Sequence, residues 1–322
     1  LLHREKSIAR DLYSRRLLCS SIDMTSTVQT PAAESVKARA KSSIPVFFKD
    51  FGKAVNDILK PSKFDLGKQI EVKTKTKNDV TFVASSTLLE DDAPGKLVVK
   101  SKVYKATDFE GELHTSGKFT GKVTSESLAE GLKIVASNET VPSKGTSLHV
   151  LESMYSRNNV ATTFALTSNF GKDHKLDGSV VFGYEGISVG GQGTYKGNSL
   201  VDYNGGAEYA SEDFKMTVKT VNKADKVIAS YSHIVSPAAT IIGSFGYDLG
   251  KSTPGKEYSM GGTYKLDEVS SVTAAYTTKG ASGVLSALYE VKIQPTTLLS
   301  LGTVVDLHDT TRQKFGIKLT LG

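Results

Sequence analysis

The sequence predicts an all-β chain of about nineteen antiparallel strands, each of about ten residues, behind a single amphipathic helix. Three observations predict it. From Phe64 to the C-terminus the hydrophobic period is two. Turn-forming pairs interrupt that period at intervals of roughly 11–15 residues, Asn78-Asp79, Asn158-Asn159 and Asn222-Lys223 among them. The composition, with 29 Gly, 8 Pro and no Trp, suits strands and turns better than helices. Two architectures use so many strands: a closed membrane barrel, and soluble sandwiches or propellers. Strand length favours the barrel, because sandwich strands run nearer to about five or six residues.

Residues 1–42 are read as a disordered extension. They hold eight Lys/Arg (Arg4, Lys6, Arg10, Arg15, Arg16, Lys37, Arg39, Lys41) against four acids (Glu5, Asp11, Asp23, Glu34), which is most of the formal net charge of +6. Two readings of this stretch stand side by side. Arg4, Arg10, Arg15 and Arg16 with interspersed Leu resemble a mitochondrial presequence, with Glu5 and Asp11 against it. The other reading is translated upstream sequence with the start at Met24.

Residues 43–61 follow as the helix. Phe47, Phe51, Val55 and Ile58/Leu59 recur at helical spacing, while Lys49, Asp50, Lys53, Asn56 and Asp57 fall opposite. The pattern predicts one helix of about three turns with Gly52 inside it, opened near Pro45 and closed by Pro61. Residues 62–322 are the barrel. Ile70, Val72 and Thr74 alternate with Glu71, Lys73 and Lys75; Phe214, Met216 and Val218 alternate with Lys215, Thr217 and Lys219; Tyr258, Met260, Gly262 and Tyr264 alternate with Ser259, Gly261, Thr263 and Lys265. In the last strand Phe315, Ile317, Leu319 and Leu321 share one face, and Gly316, Lys318 and Thr320 the other.

Several chemistries are excluded. The longest apolar runs fall far short of the roughly 18–20 residues of a membrane-spanning helix, which leaves a barrel open because its strands alternate. The single cysteine, Cys19, rules out an internal disulfide framework and a Cys-based zinc site. The six histidines are scattered, without metal-ligand spacing. Gly191, Gly193 and Gly197 miss the dinucleotide fingerprint by one position and precede no helix. No enzyme, cofactor, metal or nucleic-acid partner is predicted.

The lysines carry the functional expectation. Strand parity puts Lys73, Lys75, Lys100, Lys102, Lys133, Lys215, Lys219, Lys265 and Lys318 on the polar face, with Glu71 and Asp177 among few acids there. If the apolar face meets lipid, the polar face lines a pore, and a positive lining lowers the barrier for anions.

Several segments resemble one family. Phe48-Lys49-Asp50-Phe51-Gly52-Lys53, continuing to Asn56-Asp57-Ile58-Leu59, is similar to the N-terminal segment of the eukaryotic mitochondrial porins, the voltage-dependent anion channels. Lys73-Thr74-Lys75-Thr76, Gly131-Leu132-Lys133, Val181 to Gly186 and Gly316-Ile317-Lys318-Leu319 match it in the same order, over about residues 45–322. The final strand also resembles the sorting signal of mitochondrial outer-membrane barrels, carried by Lys314, Gly316, Leu319 and Leu321.

The resemblance implies a nineteen-strand barrel with its first and last strands parallel and the helix inside the pore. Phe47, Asp50, Phe51, Gly52, Lys53, Val55 and Asp57 would form the gating segment, and Gly131, Leu132 and Lys133 would aid nucleotide contact. It implies a bilayer partner and transported nucleotides and inorganic anions, and it leaves a homo-oligomer open. The implied place is the mitochondrial outer membrane, with a plastid envelope as the lesser alternative. A protein-import barrel of the same superfamily and a soluble multi-strand binding protein are the competing readings. The chain departs from the family on the strand Leu97–Ala106, whose lipid face carries Val99, Ser101 and Val103 where some members have Glu.

Overall fold

The computed structural model describes residues 44–322 apart from 90–91, 105, 170–172, 198, 251–254, 280–281, 310 and 312. The predicted extension over residues 1–42 lies outside the described residues. The first ten strands are β1 (Lys68–Lys75), β2 (Thr81–Thr87), β3 (Gly95–Tyr104), β4 (Thr107–His114), β5 (Phe119–Ala129), β6 (Leu132–Val141), β7 (Thr146–Arg157), β8 (Val160–Asn169), β9 (Asp173–Tyr184) and β10 (Ile187–Lys196). They continue as β11 (Ser199–Ala210), β12 (Phe214–Val221), β13 (Lys226–Ser236), β14 (Ala239–Asp248), β15 (Lys256–Lys265), β16 (Ser270–Lys279), β17 (Ser282–Gln294), β18 (Thr297–Asp306) and β19 (Lys314–Leu321).

Each strand pairs antiparallel with the next in one 19-stranded sheet, and β1 pairs with β19 in parallel, Ile70 opposite Leu319. The parallel seam follows from the odd count. Strands that alternate up and down meet running the same way when an odd number closes. Closure leaves no sheet edge, so every ladder is satisfied within the wall. Tight turns suit the hairpins: Asn158 takes φ 52 and the Glu185-Gly186 pair takes φ 48 and 84.

The alternation resolves into an apolar outside and a polar inside. On β12, Met216 and Val218 are 52% and 53% exposed on the outer wall, while Thr217 and Lys219 face inward. Outward aromatics cluster near strand ends, with Tyr209 and Phe214 rings 5.6 Å apart and Phe245 and Tyr258 rings 5.1 Å apart. A soluble sandwich needs an apolar interior; here the apolar side chains lie outside, which overturns that reading.

The predicted three-turn helix is not continuous. A 3-10 turn over Phe48–Asp50 is followed by Gly52 in the left-handed conformation, φ 72, and only then by the α-helix α1, Lys53–Leu59. The break also shifts the stripe: the 3-10 turn buries Phe48, not the expected Phe47, with Phe51 and Val55, and leaves Phe47 partly buried beside them. A 3-10 turn over Pro61–Lys63 follows, and the chain reaches β1 through Phe64, Leu66 and Gly67.

Candidate functional site

The N-terminal segment lies against the inner wall. Phe48 and Phe51, with ring centroids 5.1 Å apart, pack on Ala161 of β8 and Val181 of β9, flanked by Val46 and Phe47. Phe51 is fully buried, and its neighbour Gly52 is buried too. Beyond the break, α1 runs along β13–β16 with Val55 turned to the wall. Lys53, Asn56 and Asp57 are exposed to the lumen. A second apolar cluster, Phe64, Leu66, Ala275 and Leu288 with Leu59 and Val304 against it, anchors the far end.

Polar contacts then fix the segment's register. The Gly52 N–H donates to Glu208 Oε2 at 2.9 Å, and Thr217 Oγ1 donates to the same oxygen at 2.8 Å. Lys219 Nζ donates to the Phe51 carbonyl at 2.6 Å. Lys49 pairs with Glu152 at 2.6 Å, and Asp50 with Lys53 at 3.4 Å. The left-handed turn at Gly52 is what points its N–H at the wall. A Cβ there would lie 3.0 Å from Ser230 Oγ. Of the predicted gating residues, Phe51, Gly52 and Val55 touch the wall, Phe47 is half-buried against it, and Asp50, Lys53 and Asp57 meet water.

The linker to β1 lies over two glycines of the last strand pair, β18 and β19. Gly302 of β18 and Gly316 of β19 stand opposite each other in register, both facing inward. A Cβ on Gly302 would lie 2.1 Å from the Phe64 carbonyl oxygen, and one on Gly316 would lie 2.7 Å from Gly67 N. Ile317 N–H donates to the Gly67 carbonyl at 2.6 Å, and Lys314 pairs with Asp65 at 2.7 Å. The predicted sorting residues therefore split. Lys314 and Gly316 face the lumen and hold the linker, while Leu319 and Leu321 face outward.

All nine predicted lysines face the lumen by strand register. The expectation of few acids among them is wrong. Lys73 and Lys318 both reach Glu71, at 3.1 and 2.8 Å; Lys100 pairs with Glu110 at 3.1 Å; Lys133 with Glu126 at 2.8 Å; Lys96 with Glu112 at 3.5 Å; Lys175 with Asp177 at 2.9 Å. Lys75 pairs with Asp79 in the β1–β2 turn at 2.8 Å, and that bond holds the Asp79 carboxyl below the usual carboxylate range. Two arrangements are the cause. Neighbouring strands set a lysine face against a carboxylate face, as for Lys100 and Glu110 on β3 and β4 or Lys318 and Glu71 across the β19–β1 pair. Lys73 with Glu71 and Lys175 with Asp177 stand two residues apart on one face of one strand. The signal was present in β4, where Asp108, Glu110 and Glu112 share one parity. Of the nine, Lys102, Lys215, Lys219 and Lys265 make no ion pair within 4 Å among the described residues; Lys219 is tied instead to the Phe51 carbonyl, and Lys102 stands opposite Asp108 in register.

Gly131 takes φ 79 in the β5–β6 turn, where a Cβ would lie 2.4 Å from the Ser156 carbonyl oxygen, so the turn itself accounts for this glycine. Leu132 faces outward and Lys133 inward. On β3 the outer face carries Val99, Ser101 and Val103, without a carboxylate.

A closed barrel with an apolar outer belt, a charged lumen and a segment seated inside it defines a β-barrel membrane channel. A profile of the eukaryotic porin family matches residues 44–316, and the chain belongs to that family. It is 27% identical over 283 residues to mitochondrial outer membrane protein porin 1 of Oryza sativa subsp. japonica, covering 86% of this chain and 98% of that one. It is also 27% identical over 276 residues to non-selective voltage-gated ion channel VDAC2 of Meleagris gallopavo (83% and 90% covered). The mitochondrial outer membrane protein porin of Candida albicans is 25% identical over 268 residues, covering 81% of this chain and 93% of that one. The protein is a channel of the mitochondrial outer membrane and not an enzyme.

Proposed function

We propose that this channel is passive, weakly anion-selective and voltage-gated, and that it carries ATP, ADP, phosphate and chloride. One observation carries the selectivity. Five of the nine lumenal lysines are cancelled by carboxylates, and Lys102, Lys215, Lys219 and Lys265 remain without an ion pair among the described residues. A small positive surplus in a wide, wet pore gives a weak preference. At physiological salt the screening length is about 8 Å, so each lysine acts mainly on ions passing its own wall.

Gating is assigned to the seated segment. Residues 44–60 hold Lys49, Lys53 and Lys60 against Asp50 and Asp57, a surplus of one positive charge. Moving one charge through the full field of 100 mV is worth about 2.3 kcal/mol. A hydrogen bond to a charged group, such as Glu208 to Gly52, is worth about 1.5–3 kcal/mol. The two are of one size, so ordinary membrane voltages can bias the seat.

Lys75, Lys100, Lys102 and Lys133 line a lumenal recess of about 470 Å³ together with Asp79, Asp108 and Glu110. Nucleotide phosphate there would meet both signs, which favours passage over retention. The test is efflux of ATP from sealed vesicles bearing the refolded chain. ATP should leave faster than a cation of equal size, and equal rates would contradict the reading.

A further inference from the structure

The outer wall over β5–β8 carries an indentation that neither conduction nor gating uses. One outward row across these strands reads Gly121, Asn138, His149 and Ser168, each opposite the next in register. The adjoining row reads Val123, Ala136, Leu151 and Leu166. With Phe109 these rows enclose a recess of about 440 Å³ on the lipid side, within the span of about 300–1,000 Å³ typical of small-molecule sites.

Polar side chains on a lipid face are costly unless their bonds are made. Here they form a ring. Thr140 Oγ1 donates to Asn138 Oδ1 at 2.8 Å, Asn138 Nδ2 lies 3.0 Å from His149 Nδ1, Ser147 Oγ lies 3.1 Å from His149 Nε2, and Thr140 Oγ1 lies 3.1 Å from Ser147 Oγ. One proton arrangement closes it. With Thr140 donating to the Asn138 oxygen, the Asn138 amide donates to Nδ1. Nε2 then carries the ring proton and donates to Ser147, whose hydroxyl donates to Thr140. The ring uses one N–H of Asn138 and leaves the second free to point away from it toward the recess. In hydrocarbon such a group costs several kcal/mol.

The ring's depth indicates what supplies the acceptor. Asn138 lies about 10 Å along β6 from Val141 at the strand end, and Lys144 is exposed in the turn beyond. We propose that the recess binds one glycerophospholipid of the surrounding bilayer. Its acyl chain lies over Ala136 between Phe109 and Leu151, an ester carbonyl accepts from Asn138, and its phosphate sits at the level of Lys144. A second copy of the chain fits less well. The barrel wall is convex, so contact between walls would leave the recess empty and the Asn138 donor unmatched. A sterol hydroxyl could reach Asn138 but would bring no anion to Lys144.

The test is native mass spectrometry of the full chain, refolded into vesicles of phosphatidylcholine with added sterol and then extracted gently. The wild type should retain one phosphatidylcholine more than Ala136→Phe, which fills the recess, and more than Asn138→Leu, which removes the donor. Retention should fall at least fivefold in each. Ala287→Phe, outward on β17, should keep the lipid, and if one recess variant does not fold the other carries the comparison. Equal phospholipid retention in the wild type and the variants overturns the proposal. So does a sterol retained in its place, or a dimer that Ala136→Phe abolishes without changing the lipid.

Discussion

Glu208 on β11 accepts the backbone N–H of Gly52 at 2.9 Å, so a carboxylate of the wall caps the break in the segment seated along the inner wall. The same carboxylate holds Thr217, and the neighbouring lysine, Lys219, holds the carbonyl just before the break. Wall and segment are joined through main-chain atoms that no side-chain pattern reveals.

Glu208→Ala should loosen that joint by about 1.5–3 kcal/mol, the usual worth of a hydrogen bond to a charged group. Voltage ramps on single channels should show closure at lower voltage and with more substates. Glu208→Gln, which keeps an acceptor of the same length, should lie between this variant and the wild type. Unchanged gating in Glu208→Ala would remove the joint from the account.

Gly52→Ala tests the break itself. The left-handed conformation costs a residue with a side chain about 1–2 kcal/mol, and the new methyl would meet Ser230 Oγ at 3.0 Å. The segment should detach more often, seen as faster proteolysis between residues 44 and 60 while the barrel stays resistant. Equal cleavage rates would mean that the wall contacts elsewhere suffice.

Substitutions on β18 and β19 separate the support of the linker from the sorting signal. Gly302→Ala places a methyl 2.1 Å from the Phe64 carbonyl oxygen, so it should disturb the linker and raise current noise while leaving membrane insertion intact. Leu319→Ser touches only the outer face and should impair assembly into the outer membrane if Lys314 to Leu321 is the sorting signal. Normal assembly of a Gly316→Ala/Leu319→Ser double variant would contradict that assignment.

Removing charge in balanced and unbalanced ways should have different effects. Lys100→Ala/Glu110→Ala deletes a pair and should leave selectivity nearly unchanged. Reversing Lys102, Lys215 and Lys265 to Glu together should shift preference toward cations, by a few tenths of a kcal/mol per site, on the order expected for a dielectric near that of water. The shift should grow as salt is lowered.

Much of this was legible in the sequence. Period-two alternation placed the strands and the inward lysines, because a side chain's face depends only on parity. The break at Gly52 was not legible, since Phe47, Phe51 and Val55 keep helical spacing in the sequence whether or not a left-handed glycine interrupts them, and the exchange of Phe48 for Phe47 in the buried face appears only in the fold. Nor was the partnership of Lys100 with Glu110, which depends on register between strands, although the acidic parity of β4 was in plain view. Gly316 reads from sequence only as part of the sorting signal and Gly302 carries no signal there; that both are needed beneath the linker follows from the fold alone. Asn138 and His149 become a ring only once β6 and β7 are aligned.

The central claim is that the uncompensated charge of the lumen is positive and faces the permeating ions. The reversal potential of the refolded full chain in a planar bilayer, across a KCl gradient, tests it most directly. The potential should have the sign set by chloride, modest at high salt and larger as both solutions are diluted. A potential of zero at all dilutions, or one of the sign set by potassium, would contradict it.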